Sequence, residues 1–303
     1  SKLRQAAHAA TEKALALDPT NQFVLETAAR NMLQQGEIDR DDQSNSAGVA
    51  LTYIFQAISL EESHFRQNQL TRLAHRAIRL LHSGENSPDA QHEFSAPPSE
   101  TLLARVWLTL LKGVEEVGSF EVGIFPPANI KRALELIELE PESSNWLITK
   151  LYYDLVIELE PRNFTRQIEI LEELMGTGFH MPAQMSLEHA VLLYQVGRYR
   201  EGSEAFRNLR HLLKMSETII SLPERLRWLL RPDGRGRRLC EAIVTEDAGP
   251  QSYARIKELG STSAPFRPQE FDQHSMRPNS RFNCHVSFRA MGPFLLPPSE
   301  RHA

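Results

Sequence analysis

Apolar residues recur at helical spacing along most of this chain. Eight ranges carry them at positions i, i+3, i+4 and i+7, the spacing that places side chains on one face of an α-helix. These ranges are 51–60, 70–81, 102–111, 130–140, 146–157, 164–175, 187–196 and 200–213. The alternation typical of β-strands is nearly absent before residue 225. The pattern therefore predicts that residues 1–224 fold as packed helices.

Prolines divide this helical region into units. Pro19, Pro141 and Pro161 each follow an acidic residue at the predicted end of a helix, where proline stops the helix because it lacks an N–H and its ring crowds the preceding turn. Residues 6–17 read as the second helix of a pair, and no earlier helix precedes them. Because a repeat helix cannot bury its apolar stripe alone, we expect the chain to be a fragment of a longer protein.

Polar segments predict where the helices are interrupted. The acidic range 39–48 and the range 83–99, rich in Ser, Pro and Asn, are both predicted to be breaks, the second of them a disordered loop. Pro126 and Pro127 predict the start of a new helix near Asn129, because proline is favoured in the first turn of a helix.

The most regular unit is the range 187–209. Gly197 ends one predicted helix, Tyr199 stands in the turn, and Gly202 is a small residue on the following helix. This arrangement resembles the tetratricopeptide repeat (TPR), a family of stacked helix pairs. The resemblance implies a mainly α fold, a degenerate TPR-like solenoid over residues 1–224, whose inner face binds a protein partner. The candidate partner-binding residues are Glu26, Arg30, Gln34, Gln184, Val191, Tyr194 and Gln195.

The pattern changes after residue 250. The ranges 253–257 and 282–288 alternate apolar and polar residues, which predicts half-buried strands, and the ranges 260–263 and 277–280 are rich in turn-forming residues. The order of these features resembles the cold-shock class of the OB-fold. The resemblance implies a small all-β module over residues 251–303. Members of that class that bind nucleic acid carry a glycine-rich aromatic strand, where this chain has only Phe266.

Between the two regions lies an arginine-rich segment, predicted as a hinge over residues 225–250. Six arginines and Trp228 fall within the range 225–238. The planar arginine fork suits phosphate, and an indole can stack on a base. The alternative is a solvated linker whose arginines pair with acidic residues of the helical region while Trp228 is buried. The candidate nucleic-acid-binding residues are Trp228, Arg235, Arg237, Arg238, Lys257, Phe266, Arg267, Arg281 and Arg289.

Charge and composition limit the remaining functions. Residues 1–224 carry 21 Lys and Arg against 31 Asp and Glu, whereas residues 225–303 carry 13 against 8; such asymmetry predicts two modules with different partners. No apolar run is long enough to span a bilayer, and the two cysteines lack metal-binding spacing, which favours the cytoplasm. Because no catalytic, metal-binding or cofactor-binding motif is recognisable, we expect neither an enzyme nor a cofactor.

A helical solenoid followed by an OB-like module resembles the C-terminal regions of STAND-type signalling NTPases of prokaryotic immunity. The resemblance implies a non-catalytic scaffold or sensor that binds a protein partner or upstream domains of its parent chain. The alternative function is nucleic-acid binding through the hinge and the OB-like module. The sequence leaves the oligomeric state open.

Overall fold

The computed structural model contains helices followed by a β-sheet, as the periodicity predicts. It describes residues 2–18, 20–40, 42–60, 64–84, 98–114, 122–140, 146–177, 181–214, 220–246, 251–260, 262–271 and 276–298. Within these residues there are ten α-helices and a five-stranded antiparallel sheet. The chain divides into two compact units, residues 1–159 and 160–303.

The N-terminal unit is entirely helical in its described part. Its helices are α1 (Lys2–Leu17), α2 (Gln22–Ile38), α3 (Gln43–Leu60), α4 (His64–Gly84), α5 (Pro98–Leu111), α6 (Pro127–Glu138) and α7 (Trp146–Leu159). The helix predicted to start near Asn129 is confirmed and begins at Pro127. Residues 85–97, the centre of the predicted disordered loop, lie outside the described residues.

The break predicted over residues 39–48 is shorter than expected, because α3 begins at Gln43. The Asp42 carboxylate accepts hydrogen bonds from Asn45 Nδ2 and Ser46 Oγ, both at 2.8 Å. These polar side chains therefore stabilise the first turn of α3 instead of interrupting the helices. Gly36 does not end α2, and a Cβ atom on it would lie 3.1 Å from Ser46 Cβ. Small residues therefore let α2 and α3 approach closely.

The C-terminal unit combines three helices with the sheet. The helices are α8 (Phe164–Gly176), α9 (Ala183–Gln195) and α10 (Tyr199–Lys214), and the strands are β1 (Leu239–Glu246), β2 (Ser252–Ile256), β3 (Thr262–Phe266), β4 (Arg281–Arg289) and β5 (Gly292–Leu296). Tyr194 of α9 contacts Phe206 of α10 and Phe288 of β4, with ring centroids 6.0 and 5.4 Å apart. These rings pack α9 and α10 against the sheet, and residues 160–303 form one compact unit, whereas the sequence predicts a domain boundary after residue 224.

The tight contact predicted for Gly202 is present between α9 and α10. A Cβ atom at Gly202 would lie 2.6 Å from the Tyr194 ring, closer than any side chain can approach. Tyr194 is buried and its hydroxyl lies 2.6 Å from Ser203 Oγ, so the ring has little room to move. Glycine is therefore required at this crossing.

The sheet has the strand order β3-β2-β1-β4-β5. Its edge strands β3 and β5 contact each other, so the sheet curls into a barrel-like module. β1 lies inside the segment predicted as a hinge and pairs with both β2 and β4, which makes that segment part of the sheet. β5 begins at Gly292, after the last strand that the sequence predicts, in the range 282–288.

Alternating side chains of the strands fill the barrel. Cys240, Ala242 and Val244 of β1 point inward and are buried. Cys240 lies directly opposite Cys284 of β4, and both are free thiols. Burial raises the pKa of Cys240 to about 11 and that of Cys284 to about 12, so both thiols stay protonated near neutral pH.

Candidate functional site

The arginine-rich segment folds into a defined hairpin rather than an open linker. After a short 3-10 turn at Glu224–Leu226, residues 228–238 double back on themselves: Arg231 N donates to Gly236 O at 3.1 Å, and Arg238 N donates to Leu229 O at 2.8 Å. Gly234 and Gly236 near the tip have φ values of +69° and +79°, which glycine adopts without strain. We call residues 228–238 the arginine hairpin.

The arginine hairpin is held from two sides within the C-terminal unit. Leu229 N donates to Val286 O of β4 at 2.9 Å. On the other side, the Gln195 side chain of α9 donates to Trp228 O at 2.7 Å and accepts from Leu230 N at 3.1 Å. Since the backbone of the first arm, residues 228–230, is held on both of its sides, the arginine hairpin is fixed to β4 and α9.

A cleft of about 430 Å³ lies between the arginine hairpin and the residues that lead into α8. Most of its lining is apolar. Its charged and aromatic lining residues are Arg162, Phe164, Glu224, Arg225, Trp228 and Arg237.

Two of the cleft arginines, Arg162 and Arg237, have surroundings that differ from those of the third. The Arg237 guanidinium lies over the Trp228 ring, 3.8 Å from its centroid, and we call these two residues the stacked pair. Within the part of the chain that the structure describes, neither Arg237 nor Arg162 forms an ion pair. A guanidinium on an indole face keeps its N–H edge available for an anion.

The third cleft arginine is neutralised. Arg225 donates to Glu188 Oε2 at 3.2 Å and to Gln167 Oε1 at 3.0 Å, and the side chains of Arg225 and Glu188 are only 20% and 11% exposed. Gln184 donates to the other carboxylate oxygen of Glu188 at 3.0 Å. We call Arg225 and Glu188 the buried pair.

Two carboxylates near the cleft in the chain also have partners: Glu224, which lines it, lies 3.4 Å from Arg227, and Glu160 precedes α8. Glu160 accepts hydrogen bonds from Asn163 Nδ2 at 2.8 Å and from Arg166 at 2.9 Å. The hydrogen bond from Asn163, helped by Arg166, lowers the pKa of Glu160. Glu160 therefore stays ionised and engaged with these two residues, and among the described residues no ion pair joins it to Arg162.

A second basic surface lies on the outward side of the barrel. Ile243 of β1 pairs with Arg255 of β2 on one side and with Arg281 of β4 on the other. Tyr253, Arg255 and Lys257 are exposed, while Arg281 lies 3.6 Å from Glu241. Tyr253 and Arg255 were not singled out in the sequence analysis. The alternation in the range 253–257 was a sufficient signal, because it places both residues on the same face of the strand as Lys257.

The other predicted nucleic-acid residues are scattered. Arg235 is exposed near the tip of the arginine hairpin, and Arg238 donates to the Tyr199 hydroxyl at 3.3 Å. Arg267 lies 3.7 Å from Glu270, and Arg289 lies over the Phe294 ring. The structure therefore brings only Trp228 and Arg237 of the predicted set together in the cleft.

Phe266 requires a correction. Its side chain is fully buried and packs against Phe271 and Phe282, with ring centroids 5.8 and 4.9 Å apart. No face of this ring is available to a base. Phe266 is a core residue of the barrel because it alternates inward with Ala264 along β3.

The partner-binding face predicted on α9 also requires a correction. Val191 and Tyr194 are buried, and Gln184 and Gln195 use their side chains to hold Glu188 and the arginine hairpin. The prediction failed because α9 is covered by its neighbours on nearly every side, so its apolar residues form core contacts rather than an open groove.

The candidates in the N-terminal unit lie at its surface. Glu26 forms ion pairs with Arg30 at 2.7 Å and with Arg66 at 3.0 Å, and Gln34 is exposed. Phe23 and Phe65 are 66% and 71% exposed, and the Arg66 guanidinium lies 4.2 Å from the Phe23 ring centroid. The sequence did not single out these two phenylalanines.

Comparison with known proteins gives no further guidance, since no protein-family model, curated protein or solved structure matches the chain. Among the described residues, no three His, Cys, Asp or Glu side chains are grouped in a way that would hold a metal ion. None of the described helices is both long enough and apolar enough to cross a membrane. The geometry of the cleft and of the basic surfaces is therefore the basis for a function.

Proposed function

We propose that the C-terminal unit, residues 160–303, binds single-stranded nucleic acid, with the cleft as its main contact. The observation that carries the proposal is the stacked pair at an apolar cleft that also holds an unpaired arginine. Single strands are bound by a combination of positive charge, which contacts phosphates, and planar side chains, on which bases stack. Arg237 and Trp228 supply the planar surface, and Arg162 supplies the charge.

The barrel supports the same function. Its strand order and the contact between β3 and β5 are those expected of an OB-like barrel, an architecture that often binds oligonucleotides on its strands. Arg255 and Lys257 give its outward side a positive charge, and Tyr253 offers an exposed ring. The C-terminal unit therefore carries further groups that suit phosphates and bases outside the cleft.

The test is the equilibrium binding of a fluorescently labelled oligonucleotide to the full chain, followed by anisotropy at low salt. Arg237→Ala removes the stacking surface and a charge, and we expect it to weaken binding about tenfold. Arg231→Ala is the matched control, because Arg231 is an exposed arginine of the same hairpin that does not line the cleft. Equal affinities for the two variants, or no binding by the wild type, would refute the proposal.

A second candidate function concerns the N-terminal unit. Phe23 and Phe65 are exposed beside the charged cluster of Glu26, Arg30 and Arg66, and aromatic residues with arginine are typical of protein-binding surfaces. We propose that this surface binds a protein partner or another domain of a longer parent chain, such as a STAND-type signalling NTPase. We also propose that the helices form a TPR-like solenoid, a fold that would present such a surface.

Cross-linking of the chain to proteins that copurify with it tests the second candidate. The double variant Phe23→Ser and Phe65→Ser should lose a specific cross-linked partner, whereas Arg237→Ala should retain it. Retention of every partner by the double variant would exclude this surface.

A further inference from the structure

The cleft has the size and lining of a small-ligand site. Its volume of about 430 Å³ falls within the roughly 300–1,000 Å³ that such sites occupy, and they are typically apolar with a few polar groups that fix orientation. Phe164, Trp228 and Leu230 supply apolar surface, while Arg162 and Arg237 supply charge. The outward side of the barrel also carries positive charge and one exposed ring, but the cleft lies at the arginine hairpin.

One end of the cleft is bounded by a contact between the hairpin tip and Arg162. A Cβ atom at Gly234 would lie 3.5 Å from Arg162 Cδ, which is van der Waals contact. The aliphatic part of Arg162 therefore lies against the tip of the arginine hairpin. Contact between these two walls bounds the cleft at the tip of the arginine hairpin.

The two free cations favour a ligand with two different parts. Arg162 has no aromatic partner among the described residues, so its guanidinium is suited to a phosphate. The Arg237 guanidinium lies over the Trp228 ring, so the pair offers planar groups with a positive charge, which suit a base. A compact ligand that carries a phosphate beside a planar heteroaromatic ring satisfies both groups at once.

We propose that the cleft holds a single nucleotide unit, with its phosphate at Arg162 and its base against the stacked pair, and that a free nucleoside monophosphate occupies it. The proposal rests on the proposed function, because that unit is one residue of the bound strand. The inference adds that the cleft binds one nucleotide without help from the adjacent nucleotides of a strand. Inorganic phosphate or a nucleoside alone engages only one of the two groups.

Titration calorimetry of the full chain with adenosine monophosphate, adenosine and inorganic phosphate tests this inference. We expect the monophosphate to bind at least about tenfold more tightly than either fragment, because each group contributes a factor of this order. Arg237→Ala should weaken monophosphate binding by at least about fivefold, and Arg231→Ala should leave it unchanged. A monophosphate that binds no better than phosphate, or an unchanged affinity in Arg237→Ala, would overturn the inference.

A second variant separates loss of the site from loss of the fold. Arg162→Ala changes an exposed side chain ahead of α8, and it should weaken the monophosphate while leaving adenosine unaffected. Thermal unfolding of each variant checks that the C-terminal unit is intact. Equal weakening of adenosine and of the monophosphate would contradict the role of Arg162 in binding phosphate.

Competition distinguishes this inference from the proposed function. Adenosine monophosphate should displace a labelled oligonucleotide from the wild type. If the oligonucleotide binds and the monophosphate neither binds nor competes, the single-nucleotide site is refuted and strand binding stands. If the monophosphate binds through Arg162 and Arg237 and no oligonucleotide binds, the cleft assignment is supported and strand binding is refuted.

Discussion

Two arginines line the same cleft and differ in what balances their charge. Arg225 is held by the Glu188 carboxylate and the Gln167 amide oxygen, in a site where both charged side chains are largely buried. Arg237 has the face of Trp228 as its neighbour and no carboxylate among the described residues. The first arginine is therefore part of the fold, while the second keeps its charge for a ligand.

The difference has an energetic consequence. Removing one partner of a buried ion pair leaves an uncompensated charge inside the protein, which costs roughly 3–5 kcal/mol. A cation on an exposed aromatic face contributes only about 0.5–1 kcal/mol. Substitutions at the buried pair should therefore affect stability, and substitutions at the stacked pair should affect binding.

The largest effect is expected at the buried pair. Glu188→Ala leaves the Arg225 guanidinium without a carboxylate, so we expect the free energy of unfolding to fall by about 3 kcal/mol. Urea denaturation followed by circular dichroism measures it. Arg237→Ala is the control and should change stability by less than about 1 kcal/mol. Similar losses in both variants would remove the distinction between the two pairs.

An intermediate effect is expected where α9 holds the arginine hairpin. Gln195→Leu removes two hydrogen bonds and leaves Trp228 O and Leu230 N without their partner, so we expect a loss of about 2 kcal/mol and weaker oligonucleotide binding. Gln34→Leu makes the same change at an exposed site of α2 and should alter stability by less than about 0.5 kcal/mol. If Gln195→Leu binds the oligonucleotide as well as the wild type, the stacked pair does not depend on this anchor.

A smaller effect is expected at the hairpin itself. Gly236 has a φ of +79°, and no atom lies within 4 Å of the position that a Cβ would take. Gly236→Ala therefore adds backbone strain without a clash and should cost about 1 kcal/mol. Gly236→Asn should cost less, since asparagine tolerates this conformation better. A thermal unfolding series of the three proteins checks the order, and an equal cost for Ala and Asn would contradict it.

The helices were predictable from sequence because a periodic apolar stripe reports local geometry. The environment of a helix was less predictable. Val191 and Tyr194 were expected on an open inner face, but they lie in the core of the C-terminal unit, since periodicity cannot show how many neighbours cover a helix. β1 was not predicted, because residues 225–250 were interpreted as a hinge on account of their arginines. The alternation of Cys240, Ala242 and Val244 is the signal that indicates this strand.

The sequence predicted some of the residue types in the cleft, but it did not predict how the cleft residues pair with one another. The sequence indicated Trp228 and Arg237 as residues that suit phosphates and bases. It could not indicate which arginine would be neutralised, because Gln167 and Glu188 lie 58 and 37 positions from Arg225 in the chain. Only the fold brings these residues together, and among the described residues it gives Arg162 and Arg237 no ion pair.

The salt dependence of oligonucleotide affinity tests the central claim most directly. The affinity of the wild type should fall linearly with salt on a log–log plot, because each arginine–phosphate contact releases a counterion. Arg162→Ala should reduce that slope by about one unit, whereas Glu188→Gln should leave it at least as steep, because it removes no cation from the cleft. An affinity that does not change with salt, or a slope unaffected by Arg162→Ala, would contradict the conclusion that the cleft keeps free charge for a phosphate.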